Sequence, residues 1–335
     1  RRVNAAQSAN ATIAFDLARA AHAWTADTTT LGRLQRALVP LELAVTRTLS
    51  SAYDGTPATP GLGLQFGLGG EDTFLGDARM SATTAMSNTQ VALATGLRLP
   101  LGFTLDARTQ RLATRNWLRR PDQTQVVVDG DLVTLPDIAL RTAYRPASPD
   151  AWVATVAASV RYVATLQHSV VPGAGGVGSD ARSGRSTSVP VSLSVGWNER
   201  GALTTGVSMA ATHRVDSLPG SVLDAWTREM GADVTRNFPL PRDWELRSGL
   251  RTRVAWQRTA STNWVETSGA SLRSRLVDNG REAISFNADT DVAENLTFSL
   301  QGARIVTFDN NLNRRLTQTV LSAVLQVSFF AGEMR

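Results

Sequence analysis

The sequence predicts an all-β protein, an antiparallel up-and-down transmembrane β-barrel or part of a larger barrel, with roughly 14–18 strands. Three observations carry that expectation. The first is the stretch from Trp244 to Gln257. Trp244, Leu246, Ser248, Leu250, Thr252, Val254 and Trp256 take one side of an extended chain, and Glu245, Arg247, Gly249, Arg251, Arg253, Ala255 and Gln257 take the other. Its alternation lasts for about fourteen residues, longer than the ~5–6 of an ordinary strand. An apolar face with a Trp at each extremity therefore backs a face with three arginines. The second observation is that the same alternation recurs down the chain, with turn residues between the runs. The third is that no run of ~18 apolar residues exists, so a helical span is excluded. An alternating wall still accommodates the mean hydropathy of −0.11. In such a wall apolar side chains meet lipid, aromatic ones sit at the two interfaces, and polar ones line a wet interior.

Taken in order, residues 1–60 read as loosely patterned N-terminal strands and linkers, and 61–335 as the wall proper. Ile13, Phe15 and Leu17 alternate, so Ala11–Trp24 is expected to start as a strand rather than a helix. Leu31–Ala37 has the pattern of a short helix start, after which Leu41, Leu43 and Val45 alternate with Glu42, Ala44 and Thr46. Pro57 and Pro60 mark a loop. Leu62, Leu64, Phe66 and Leu68 then face away from Gly61, Gly63, Gln65 and Gly67, as in a strand whose inner side stays small. Val91, Leu93, Thr95, Leu97 and Leu99 form an apolar row, Leu99–Gly102 turns the chain, and Phe103, Leu105 and Ala107 return as a hairpin. Arg115, Trp117, Arg119 and Arg120 lead to Pro121. A short strand at Val126–Val128 is expected to end in an Asp129-Gly130 turn, with another strand at Pro136–Tyr144.

Trp152–Leu166 is a long strand with Val156, Val160 and Tyr162 on one side. Residues 172–186, PGAGGVGSDARSGRS, read as a Gly/Ser-rich loop. No GK[ST] follows those glycines, so no phosphate-binding loop is expected. Val189–Trp197 and Leu203–Ala211 pair about Asn198–Gly201. Ile284–Val292 turns at Ala293–Asn295 into Leu296–Leu300, and the last strand runs from Leu321 to Phe329. Counting strands back from the end places the 172–186 loop on the same side as the 293–295 turn.

The 335 residues include no cysteine, which removes disulfides, thiolate nucleophiles and Cys-ligated metals. All 34 basic residues are arginine, against 29 acidic ones, for a net charge of +5. They are scattered rather than blocked, so nucleic acid is not an expected partner. A GC-rich coding bias and attraction to anionic lipid both fit this charge. The sequence starts at Arg1 with no Met or export signal, and is expected to be a mature form or a fragment.

The candidate lumen-facing residues are Arg247, Arg251, Arg253, Glu245, Asp289 and Asp291, with Arg228 and Arg236 on the preceding strand. They form either a basic stripe that biases passage toward anions or a set of pairs with Glu245, Glu229 and Asp233. Asp289 and Asp291, with Glu294, read as wetted carboxylates, a cation site or a catalytic pair. Trp152, Trp197, Trp226, Trp244 and Trp256 sit near strand ends, as an interfacial girdle would. His22, His168 and His213 are too far apart for a metal site. A barrel hydrolase would use one of them as base, for instance His213 with Ser208 or Asp216. No catalytic residue, metal or cofactor is predicted.

Three stretches resemble the SprA/Sov family, the giant outer-membrane barrel translocon of the type IX secretion system. They are Leu135-Pro136-Asp137-Ile138-Ala139-Leu140-Arg141, Val191–Thr205 with its Trp-turn-Gly-Ala-Leu-Thr-Thr return, and AENLTFSLQGARIVTFDNN followed by a terminal strand. The resemblance spans residues 60–335. It implies a section of a larger barrel in the bacterial cell outer membrane, passing polypeptide cargo through a passive polar lumen. The implied partners are outer-membrane lipid, secreted cargo and periplasmic or plug subunits, with no catalysis. A self-contained porin or small-solute channel is the alternative.

Overall fold

A computed structural model describes residues 2–16, 19, 37–54, 76–77, 80–119, 125–146, 151–172, 179–197, 202–239, 249–267, 273–293 and 296–327. Its strands are β1 (Arg2–Phe15), β2 (Leu38–Asp54), the short β3 (Gly76–Asp77) and β4 (Met80–Ser81), β5 (Thr84–Arg98), β6 (Phe103–Arg119), β7 (Gln125–Tyr144), β8 (Val153–Pro172), β9 (Ser179–Trp197), β10 (Thr204–Leu218), β11 (Ser221–Phe238), β12 (Leu250–Thr267), β13 (Arg273–Ala293), β14 (Leu296–Asp309) and β15 (Arg314–Val327). All but β3 and β4 form one 13-stranded sheet, in the order β1-β2-β5-β6 and then consecutively to β15. Every ladder is antiparallel. The chain adopts the all-β up-and-down architecture that its alternation predicts. Among the described residues, β1 and β15 each have one neighbour in the sheet.

Among the described residues several strands are longer than the pattern suggests. Asp129-Gly130 is not a turn but lies inside the 20-residue β7. The ladder runs through it, with Gly130 opposite Thr114 on β6 and Ser169 on β8. A Cβ on Gly130 would stand 2.6 Å from the Thr114 hydroxyl, so this glycine answers a close neighbour rather than a bend. The loop expected at 172–186 is likewise much shorter. Ser179–Ser186 belongs to β9, with Arg185 paired to Leu166 and Val215. Small polar residues signal a loop only when no strand stands beside them, and here there is one on each side. The sidedness expected for that segment is also corrected. The β8–β9 connection shares an end of the sheet with the Pro219-Gly220 and Asn310–Asn313 turns, opposite the β13–β14 connection. Five antiparallel strands, β9 to β13, separate the two connections, and an odd number puts them at opposite ends.

At the other end, Pro100–Gly102 makes a 3-10 turn, with Gly102 at φ 75, where a side chain is strained. Several expected features lie outside the described residues: the helix start at 31–36, the Gly61–Leu68 strand, the 198–201 and 294–295 turns, and Phe329-Phe330.

A dry centre is missing among the described residues. Eight hydrophobic residues are buried, five of them alanines, whereas 37 large hydrophobic residues are exposed. A water-soluble sandwich buries its apolar rows between two layers. Here the one sheet leaves them on its surface.

Candidate functional site: the two faces of the wall

Residues opposite each other across a ladder share a face, so the register sorts every side chain. One face carries Val160, Val191, Met209, Met230, Val254 and Ile284, all exposed. The other carries Ser159, Ser192, Ser208, Gly231, Gln257 and Ser285. Met86, Leu118, Leu132, Leu316, Val320 and Val324 are exceptions, apolar residues on the polar face toward the two sides of the sheet, as is Leu218 beside the Pro219-Gly220 turn.

The apolar face has a defined upper limit. From β9 to β14, the first ionisable residue beyond the apolar run is Arg185, His213, Arg228, Arg258, Glu282 and Arg304 in turn. Arg258 and Glu282 stand opposite each other, but the series as a whole does not follow one register row. Arg304 pairs with Ile284, then Trp256, Ala232, Val207 and finally Leu193 on β9, which lies eight residues from Arg185. The limit therefore drifts roughly 26 Å along the strands while crossing roughly 24 Å of sheet. A straight boundary drawn on tilted strands drifts in this way, and the slope gives a tilt of about 45°, at the top of the range for barrels. On β9 the distance from Arg185 to Trp197 is roughly 40 Å of strand, or roughly 28 Å of height at that tilt, close to the ~25 Å apolar band of a barrel wall.

Aromatic residues lie toward both limits. Trp152 and Trp197 meet at one end, with ring centroids 5.1 Å apart. Near the other end Trp226 stacks on His213 at 3.9 Å. Trp256 lies between the two, inside the band on the same face, and its indole N–H donates to Glu282 at 3.0 Å. It is therefore not at a strand end as expected, because β12 continues to Thr267. Trp244 lies outside the described residues, as do Glu245 and Arg247.

Arg251, Arg253, Asp289 and Asp291 fall together on the polar face. Arg251 stands opposite Asp289, and its guanidinium donates to Asp291 at 3.1 Å. Arg253 stands opposite Asn287 and lies 4.0 Å from Asp233. Arg228 and Arg236 do not join them. Both project from the apolar face, bracketing Met230, Ala232 and Val234, so the proposed five-arginine stripe is divided between two faces. Even-numbered positions on β11 share a face with even-numbered ones on β12, which separates them from Arg251 and Arg253.

The polar face also holds pairs that sequence reasoning missed. Arg161 donates two bonds to the buried Asp137, at 2.7 and 2.6 Å. Arg214 pairs with Asp216 at 2.7 Å, and Arg141 lies 3.9 Å from Asp106. In the sequence Asp137 appears in the Leu135–Arg141 stretch and on the polar side of the Pro136–Tyr144 alternation, with no partner assigned. Its odd-numbered alternation with Ala139 and Arg141 was the available signal, but the register that places Arg161 near it crosses strands. Hydroxyls bridge the strands nearby, with Ser159 and Ser192 at 2.7 Å and Thr212 donating to Ser188 at 3.2 Å. Between β7 and β12 the polar face forms a shallow trough of about 550 Å³, lined by Arg141, Ser159, Arg161, Ser208, Glu229 and Gln257.

The hydrolase constellation is not assembled around His213. Ser208 and Asp216 lie on the polar face, whereas His213 is on the apolar one with Nε2 2.9 Å from Asp224. Odd spacing along one strand separates them. His168 stands opposite Asp131 and Ser183, and His22 lies outside the described residues. No cluster of three potential metal ligands occurs among the described residues. No protein-family model matches the chain, and no curated protein is similar to it.

Proposed function

We propose that this chain forms part of the wall of a protein-conducting channel in the bacterial outer membrane, its apolar face against lipid and its polar face lining a passive lumen. The segregation of the two faces carries this reading. An exposed apolar surface of this extent marks contact with another apolar phase. Its height and slope match those of a bilayer crossed by tilted strands. The polar face supports passage of a polypeptide rather than capture of a ligand. It is built of small hydroxyl, Gly and Ala side chains, and its arginines largely face aspartates, so a moving chain meets little that would hold it. The resemblance to the SprA/Sov translocon points the same way. A self-contained porin is less well supported. Among the described residues, thirteen alternating strands leave β1 and β15 parallel, so these strands alone do not close antiparallel. No catalytic step is proposed.

Since the sequence has no cysteine, single cysteines report unambiguously. In outer-membrane vesicles a water-soluble, impermeant maleimide is expected to label Ser192→Cys and Ser208→Cys. Val191→Cys and Val207→Cys should stay unlabelled until detergent is added. The inverse pattern would sink the membrane reading. A photo-crosslinker at Ser208 should capture a polypeptide in transit. Small-solute flux with no crosslinked polypeptide would replace the translocon with a porin.

A further inference from the structure

We propose that Arg185, Arg228, Arg258 and Arg304 form a band that binds the phosphates of anionic lipid headgroups along one edge of the apolar face. The inference rests on the proposed contact between that face and lipid, and extends it to the kind of lipid.

Four observations lead there. The four arginines are exposed, on β9, β11, β12 and β14, and they follow the sloping limit of the apolar run. A strand tilt of about 45°, within the range for barrels, is the one that brings them into one plane parallel to the bilayer. They also differ from the arginines of the polar face. Arg161, Arg214 and Arg251 each have an aspartate within 3.1 Å, whereas none of these four forms an ion pair among the described residues. Glu282 stands opposite Arg258 in the register without forming an ion pair with it, and the Arg258 guanidinium lies over the Phe308 ring at 5.9 Å. The carboxylates of Asp224 and Glu282 on this face have other partners. Asp224 is held by His213 and Arg273, and Glu282 accepts the indole N–H of Trp256. Lastly, the opposite limit carries no such series. On the apolar face it ends in Tyr144, Trp197, Phe238, Leu250 and Phe298, with Arg236 the one charge near them among the described residues of β7–β14.

A guanidinium presents a planar fork that matches phosphate oxygens, and it remains charged at any physiological pH. Placed within a side chain's reach of the acyl region, the band meets lipid phosphates before any other anion. Nucleic acid would not require the adjoining apolar rows. A polybasic series at a membrane surface gains from each charge, on the order of fivefold in partition per residue.

Brominated lipids test this, because their acyl chains quench tryptophans that they touch. The full chain is refolded into phosphatidylcholine vesicles containing brominated phosphatidylcholine or brominated phosphatidylglycerol. Both should quench, and phosphatidylglycerol should do so preferentially, with a relative association constant of roughly fivefold or more that falls as salt is raised. The variant R185Q/R228Q/R258Q/R304Q should lose the preference, and the Lys-substituted counterpart should keep most of it. Inorganic phosphate at matched ionic strength should not abolish it. Quenching without headgroup preference, or a preference that survives the four Gln substitutions, overturns the lipid-phosphate band alone. An absence of quenching by either lipid overturns the membrane contact as well. Should the fourfold variant fail to insert, R185Q/R228Q and R258Q/R304Q are read the same way, and undiminished preference in both overturns the proposal.

Discussion

Asp137 is 8% exposed and is gripped through both carboxylate oxygens by Arg161, itself half-exposed. Removing the guanidinium leaves a buried carboxylate with its strongest partner gone. R161M is therefore expected to destabilise the sheet by about 1–3 kcal/mol, less than for a fully buried pair because Arg161 keeps contact with water. Arg115 and Asp129, 2.7 Å apart, are each about half-exposed at 49% and 48%, so R115Q should cost less than about 1 kcal/mol. Urea titration of the protein refolded in vesicles separates the two, and equal costs would contradict this ranking. Gly96 is a backbone case. A Cβ there would stand 2.7 Å from the carbonyl oxygen of Leu105 on the neighbouring strand. A main-chain atom within a ladder cannot swing aside, so G96V should cost about 1–3 kcal/mol, measured in the same titration.

Along a single strand, one step reverses the surroundings. Val191 and Ser192 are adjacent on β9 and face opposite ways. V191R near the middle of the apolar band should cost about 2–4 kcal/mol in vesicles. S192R, which loses only the hydroxyl contact with Ser159, should cost less than about 1 kcal/mol. The reverse order would invert the assignment of the faces. Strands such as β8, β12 and β13 were readable because their alternation is unbroken where one side is apolar. The parts that misled were those where both faces are polar: Asp129-Gly130 in β7 and Ser179–Ser186 in β9. There the composition matches a turn, and only the adjacent strands keep the backbone extended. The polar pairs were legible as charges but not as partners. Arg251 and Asp291 are 40 positions apart, and alternation within a strand does not give the register between strands.

At the scale of the whole sheet, the proposed membrane contact and the slope of the apolar limit together set the angle at which the strands would cross a bilayer. Polarised infrared spectroscopy of the protein in oriented membranes should give a mean strand tilt of about 45° from the membrane normal. A tilt near zero would mean that Arg185, Arg228, Arg258 and Arg304 lie at different depths. The small number of buried apolar residues has a consequence for the life of the polypeptide before it reaches its place of work. Folding in water normally hides grease from solvent, but this fold would put it on display. Nothing is gained by folding early. If that face meets lipid as proposed, the chain between ribosome and destination would be best kept unfolded by an escort that masks those side chains, and would acquire its shape only on arrival, when the surrounding oil covers what the fold leaves bare.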